Sequence, residues 1–220
     1  DPGDPNKCPV WQFHKVYSDS ATRDWLRLGI KKGRATEATL KLAGNLADFP
    51  FADGKPGTFL VEGKTTGVVL DYADHWPLLT DLDAAVRFVG KGLVVEGRSA
   101  RVFGAEVGGT RAEIPDLDAE FPRLAIEGAA AGPVPDFLRF VEESPVAGWI
   151  GDVTDHAEGA GRGQLKLRLD LVLGKQGEDK VAGAFTFVDA QLRLRGVPQM
   201  VNVNGALEFT ETEVRAREIA

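Results

Sequence analysis

Between Gly163 and Gly174 every second residue is leucine, from Leu165 to Leu173, and Lys166, Arg168 and Asp170 fill most of the places between. Successive side chains of a β-strand point to opposite faces, so this segment has one apolar and one solvated face. A strand of this kind belongs to an antiparallel sheet covered on one side and wet on the other. Similar alternation or apolar runs predict further strands at Ala38–Ala43, Leu82–Val89, Leu93–Gly97, Ala100–Phe103, Glu106–Ile114 and Arg123–Glu127. Thr58–Tyr72 reads as one or two strands broken at Gly63 or Gly67, and Lys180–Val188, Gln191–Arg195, Met200–Phe209 and Val214–Ile219 complete the series.

Helical spacing is confined to a few places. Ser18–Lys32 predicts a helix capped by Ser20, with Trp25, Leu28 and Leu26 as its inward-facing candidates and Gly33 ending it. Pro135–Ser144 places Phe137, Leu138 and Val141 on one face, with Asp136 near the positive end, and Pro145 stops it. Val146–His156 adds a further helical turn or two around Trp149. Asp48–Gly57 is a loop carrying Phe49 and Phe51. One internal echo stands out: Asp81-Leu-Asp-Ala-Ala-Val-Arg-Phe88 aligns without a gap on Asn202-Val-Asn-Gly-Ala-Leu-Glu-Phe209. It fits either a repeated hairpin or a chance likeness between short β segments.

The 220 residues, 43% of them hydrophobic, supply one substantial domain or two small ones. The net charge of −7 argues against nucleic acid as a partner, which demands a basic footprint, and against docking on anionic lipid heads. No apolar run approaches the roughly 20 residues that span a bilayer. The polar, turn-prone opening Asp1–Cys8 lacks an initiator Met and a signal peptide, so the sequence is read as a piece excised from a longer protein. The single cysteine excludes an internal disulfide.

Catalytic and metal motifs are missing from the pattern. His14, His75 and His156 have no second histidine or cysteine at metal spacing. Asp152, Asp155 and His156 form a loose polar cluster in glycine-rich surroundings, which reads as an exposed loop. No Gly-x-Ser-x-Gly elbow occurs, and Ser144 precedes a proline. Gly159–Gly163 is glycine-rich but leads into a strand, not a helix, so a phosphate-binding reading fails on context. Neither an enzyme activity nor a cofactor is expected. A cleft of convergent carboxylates involving Asp152 or Asp155, suited to hydrolysis of an envelope polymer, is the alternative that motifs alone leave open.

The apolar faces outnumber what two short helices can cover, and a large exposed apolar face on a soluble protein marks a binding surface. Candidate lining residues are Leu165, Leu167, Leu169, Leu171, Leu173, Phe185, Phe187, Leu192 and Leu194 in the second half, with Leu40, Leu42, Phe59, Val61, Val86 and Phe88 as first-half equivalents.

An ordered series of segments resembles a known family. Ala21-Thr-Arg-Asp-Trp-Leu26, Leu42-Ala-Gly-Asn-Leu-Ala-Asp-Phe-Pro-Phe51, Gly57-Thr-Phe59, Leu70-Asp-Tyr72, Trp76-Pro77 and Ala112-Glu-Ile-Pro-Asp-Leu117 come first. Asp136-Phe-Leu-Arg-Phe140, Glu143-Ser-Pro145, Gly161-Arg-Gly-Gln-Leu-Lys-Leu167 and Val203-Asn-Gly-Ala-Leu-Glu-Phe209 follow. Together they resemble the middle region of the YhdP proteins, of the AsmA-like (TamB-related) envelope family. The resemblance covers nearly everything after about residue 20, and residues 1–17 match poorly, as an edge or tag would.

It implies a mainly β fold, an elongated, twisted antiparallel sheet curled into an open groove, with two or three short helices. On that basis residues 18–132 form a first β segment with an N-terminal helix, 133–160 a helical insertion, and 161–220 a second β segment of the same groove. The family is anchored in the inner membrane, crosses the periplasm and is implicated in moving phospholipid toward the outer membrane, with no known catalytic residues or cofactor. The partners implied are phospholipid acyl chains, the remainder of the same long chain and other envelope proteins. The alternative is a structural scaffold whose apolar face packs only on itself.

Overall fold

A computed structural model of the protein describes residues 29–150, 157–173, 179–194 and 196–217. Ten strands form one sheet in which every strand pairs antiparallel with its neighbours in sequence, from β1 to β10. They are β1 (Ile30–Gly44), β2 (Gly57–Leu70), β3 (Leu79–Val89), β4 (Gly92–Val102), β5 (Ala105–Ile114), β6 (Arg123–Pro133), β7 (Glu158–Val172), β8 (Lys180–Arg193), β9 (Met200–Thr210) and β10 (Val214–Arg217). The first and last strands do not pair with each other, so the sheet stays open rather than closing into a barrel. Two short helices, α1 (Val134–Glu142) and α2 (Val146–Ile150), interrupt the connection between β6 and β7.

Register divides the sheet into two chemically distinct faces. On one, a single row of paired residues runs Ala38, Gly63, Val86, Val95, Ala112, Ile126, Leu169, Val181 across β1 to β8. A second row runs Ala100, Val107, Ala130, Leu165, Phe185, Leu207, Ala216 across β4 to β10. One residue along the strands from the first row lies its polar counterpart: Glu37 with Lys64, then Glu96, Arg111, Glu127 and Arg168 in succession on β4 to β7. Glu37–Lys64 closes at 2.7 Å and Glu96–Arg111 at 3.0 Å, and Glu127 pairs with Arg168. Exposed pairs of this kind stabilise by only about 0–1 kcal/mol each. Their larger effect is on register, because a one-residue slip would carry charges onto the apolar side.

The compact core lies where α1 meets β8 and β9. Val134 is 1% exposed and packs with Phe187, Ala190, Leu192 and Val203, flanked by Leu138, Phe185, Met200 and Leu207. Gly159 permits this approach: a side chain there would collide with Val134 and Leu138. Pro at the first turn and Asp136 suit the start of α1, as its spacing predicts. Phe137 meets Phe185 edge-on at 4.9 Å, Arg139 lies 4.0 Å over the Phe103 ring, and Phe140 reaches Trp76 at 5.8 Å. Trp76 in turn contacts Tyr72 at 6.1 Å. At the opposite end of the strands the 45–56 loop folds back, with Phe49 5.0 Å from Phe59 and Asp53 paired to Lys91 at 3.0 Å. The hydrogen bond and charge of Asp53 hold the Lys91 ammonium above its ordinary pKa.

Several expectations are corrected. The predicted helix over Ser18–Lys32 gives way to strand at Ile30–Lys32, and Gly33 lies inside β1, where Val68 closes over it; the residues before Gly29 lie outside those described. Gly67 is a bulge (φ 60°) within a continuous β2, not a break, and Gly63 is ordinary strand. The strands predicted from Leu93 and from Ala100 merge into β4, which ends at Val102, and those predicted from Lys180 and from Gln191 merge into β8, which ends at Arg193, because bulges carry the pairing through; Arg195 lies outside the described residues. Arg123–Glu127 extends to Pro133, and Gly159–Gly163 is itself strand. Asp152, Asp155, His156, His14 and Cys8 lie outside the described residues.

Two predictions follow from this packing. Phe187→Ala should lower unfolding free energy by about 3–5 kcal/mol, whereas Leu40→Ala, at a position 56% exposed, should change it by less than about 0.5 kcal/mol; urea unfolding curves read both. Burial pushes the Tyr72 phenol from 10.0 up to about 12. Its contribution to stability is therefore intact below pH 10 and falls as pH rises from there toward 12, because the unfolded chain loses the proton first. Absorbance titration should show one tyrosine ionising late, and Tyr72→Phe should remove that step and flatten the alkaline loss of stability.

Candidate functional site

All fifteen candidate residues except Leu173 and Leu194, which lie just past the ends of β7 and β8, sit within strands. Leu40, Val61 and Phe88 share one row, continued by Leu93 and Ile114. Val86 and Leu169 share the eight-strand row, and Leu165 and Phe185 the second. Leu42 pairs with Phe59, Leu171 with Leu124, Leu167 with Gly128 and Gly183, and Phe187 with Gly163 and Gly205. The alternation that marks a strand as half-buried therefore places these side chains on a common face once the partners are in register.

Exposure divides them into two groups. Phe59, Val61, Phe187 and Leu192 are buried, the first beneath Phe49 and the last two beneath α1. Val86, Phe88, Leu165, Leu167, Leu169, Leu171, Phe185 and Leu194 are half-buried, and Leu40, Leu42 and Leu173 are exposed. Glycines flatten the surface between them: the Phe185 ring lies over Gly163 and the Phe209 ring over Gly183, positions that no side chain could share. The result is a low apolar floor crossing strand after strand, with the buried aromatics toward its ends.

Sequence reading missed Val95, Ala112, Ile126, Val181, Leu207 and Phe209, which complete the rows. Leu93-Val-Val95 is apolar at consecutive positions, so period two does not say which residue faces in. In β5, the bulge at Gly109 (φ 57°) shifts the parity between Val107 and Ala112. Leu207 and Phe209 did carry a signal, since the internal echo sets them opposite Val86 and Phe88.

The other face is not featureless. A depression of about 770 Å³ opens there over Gly108, Ala129, Ala131 and Ala184, rimmed by Arg98, Arg101, Glu106 and Lys166. Its floor of small side chains lies one residue out of phase with the leucines. Among the described residues no helix is long and apolar enough to cross a membrane.

Comparison with known proteins gives the chain a family. A family model described as YhdP protein matches residues 17–220. The intermembrane phospholipid transporter YhdP of Escherichia coli (strain K12) is 26% identical over 198 residues, which cover 89% of this chain and 15% of that protein. The chain thus spans about 15% of the length of this relative. A 31-residue stretch is 64% identical to tryptophan–tRNA ligase of Ralstonia nicotianae, covering 14% of this chain and 8% of that protein, too little to carry a fold or an activity. No solved structure matches. An open antiparallel sheet with one apolar face, in a chain that one family model matches over nearly its whole length, therefore belongs to the YhdP family.

Proposed function

We propose that this chain is one stretch of a periplasmic conduit, along whose apolar face phospholipid acyl chains lie as they pass between inner and outer membranes. The observation that carries the reading is the half-buried series Leu165, Leu167, Leu169 and Leu171 in the middle of an open sheet, continued on both sides by paired apolar residues. Each CH2 moved from water onto such a surface gains roughly 0.8 kcal/mol, without any polar contact. Attraction spread over many equivalent contacts suits movement, because no single site holds the cargo. Head groups and the charged ladder of the opposite face stay in water.

Curling of the sheet toward its apolar side turns the floor into a groove lined by the fifteen candidate residues. Support comes from α1. Through Phe137 and Phe140 it touches both Phe185 of β8 and Trp76, which precedes β3, although a flat sheet would hold those strands about 24 Å apart. The helix then covers one margin of the groove and the 45–56 loop the other. Among the described residues the outer edges of β1 and β10 have no partner strand, and there further strands would add, since open edges template pairing. In the full-length protein the conduit is anchored to the inner membrane, and other envelope proteins are its further partners. The reading contains no catalytic step and no cofactor.

Phospholipid should accompany the purified protein in native mass spectrometry. A photo-crosslinking residue at Leu169 or Val95 should label acyl chains, whereas one at Arg168 should not. Leu169→Asp should cost less than about 1 kcal/mol of stability while reducing crosslinking at Val95 several-fold. Lipid-free protein that Leu169→Asp unfolds would instead establish a self-packed scaffold.

A further inference from the structure

The echo between Asp81–Phe88 and Asn202–Phe209 is also an echo of backbone geometry. Asp81 (φ 51°) and Asn202 (φ 55°) both stand in the left-handed region, which Asp and Asn tolerate better than other residues with a side chain. Two residues on, Asp83 and Asn204 make the same contact with the preceding strand. Asp83 Oδ1 accepts the Gly67 N–H at 2.9 Å, and Asn204 Oδ1 accepts the Asp189 N–H at 3.0 Å.

The residues they hold are alike in their surroundings. Gly67 (φ 60°) and Asp189 (φ 47°) are themselves left-handed. Each is the second of two residues that oppose one: Thr66 and Gly67 face Asp83 between the pairs Thr65–Ala84 and Val68–Leu82, and Val188 and Asp189 face Asn204 between Phe187–Gly205 and Ala190–Val203. The extra residue of a bulge drops out of the ladder and leaves an N–H to be satisfied, and a side chain of the facing residue supplies the acceptor. In the second instance Asn204 Nδ2 also donates to Asp189 Oδ1 at 3.2 Å and to the Asn202 carbonyl at 3.0 Å. The residue after each clamp is small, Ala84 or Gly205, and the apolar pairs Val86 with Phe88 and Leu207 with Phe209 follow.

We propose that the chain contains two copies of one bent-sheet unit, and that Asp83 and Asn204 are its clamps. They are positioning residues: each pins a bulge, and the bulge sets the local bend and twist of the strands that carry the apolar rows. Recurrence of the residue pattern, the bulge and the hydrogen bond in one order is what separates this from a chance likeness of short β segments. A further consequence, that the clamps govern access of acyl chains to Val86 and Leu207, rests on the conduit reading.

Amide hydrogen exchange of the whole chain tests the clamps without reference to lipid. In Asp83→Ala the Gly67 amide should exchange about tenfold faster, the loss expected for one hydrogen bond to a charged group, while the Asp189 amide keeps its protection. Asn204→Ala should do the reverse. Asp83→Asn, which retains the acceptor, should keep Gly67 protected. Unchanged protection in both alanine variants, or equal loss in Asp83→Asn, overturns the proposal. If Asp83→Ala fails to fold, Asp83→Asn and Asn204→Ala decide by the same criteria. Photo-crosslinking of phosphatidylethanolamine vesicles at Leu207 reads the consequence: Asn204→Ala should reduce it several-fold. Lost Asp189 protection with undiminished crosslinking removes the clamp's bearing on the apolar rows, and absence of crosslinking in the unaltered protein counts against the conduit alone.

Discussion

A sheet that does not close must satisfy one requirement in all ten strands at once: apolar side chains on one side, charged, polar or small ones on the other. The hydrogen-bonded ladder transmits that requirement from strand to strand, because paired residues share a face. The rows through Val86 and Leu169, and through Leu165 and Phe185, are the outcome. The Glu96, Arg111, Glu127, Arg168 ladder lies one residue away on the other side. Loss of register in a single strand would break every row it crosses.

The same constraint governs how the molecule bends. A regular ladder cannot curve sharply, so curvature is concentrated where one strand carries an extra residue. Left-handed residues at Gly67, Asp81, Gly109, Gly161, Asp189 and Asn202 mark those places. The parity of the apolar face survives each of them: in β8 Phe187 and Ala190, on either side of the bulge, both belong to the core under α1. The bulges thus reconcile a continuous apolar face with a bent sheet.

Among the described residues the covering elements are few and lie toward the ends of the strands. Helix α1 seals Phe187 and Leu192, and Phe49 covers Phe59. Between them the leucines of β7 remain half-buried. An ordinary small domain would close a second layer over such a face; among the described residues α1 and the 45–56 loop cover only its margins.

Much of this was legible in the residues themselves. Leucine at every second position specifies the strand from Leu165 to Leu171 and its two faces, since a period of two is a local property of extended chain. Phe137, Leu138 and Val141 likewise specify the inward side of α1. What the sequence could not determine was which strands pair, and so whether Val95 or Val94 joins the row: consecutive apolar residues carry no parity of their own. Nor could it separate buried Phe59 from exposed Leu42, its partner in the ladder, because their difference lies in the loop that folds back over only one of them. Glycines at 63 and 67 look alike in the chain, yet only Gly67 takes the left-handed turn of a bulge, held by Asp83 on another strand. Such choices depend on contacts between segments distant in sequence, and only the assembled sheet decides them.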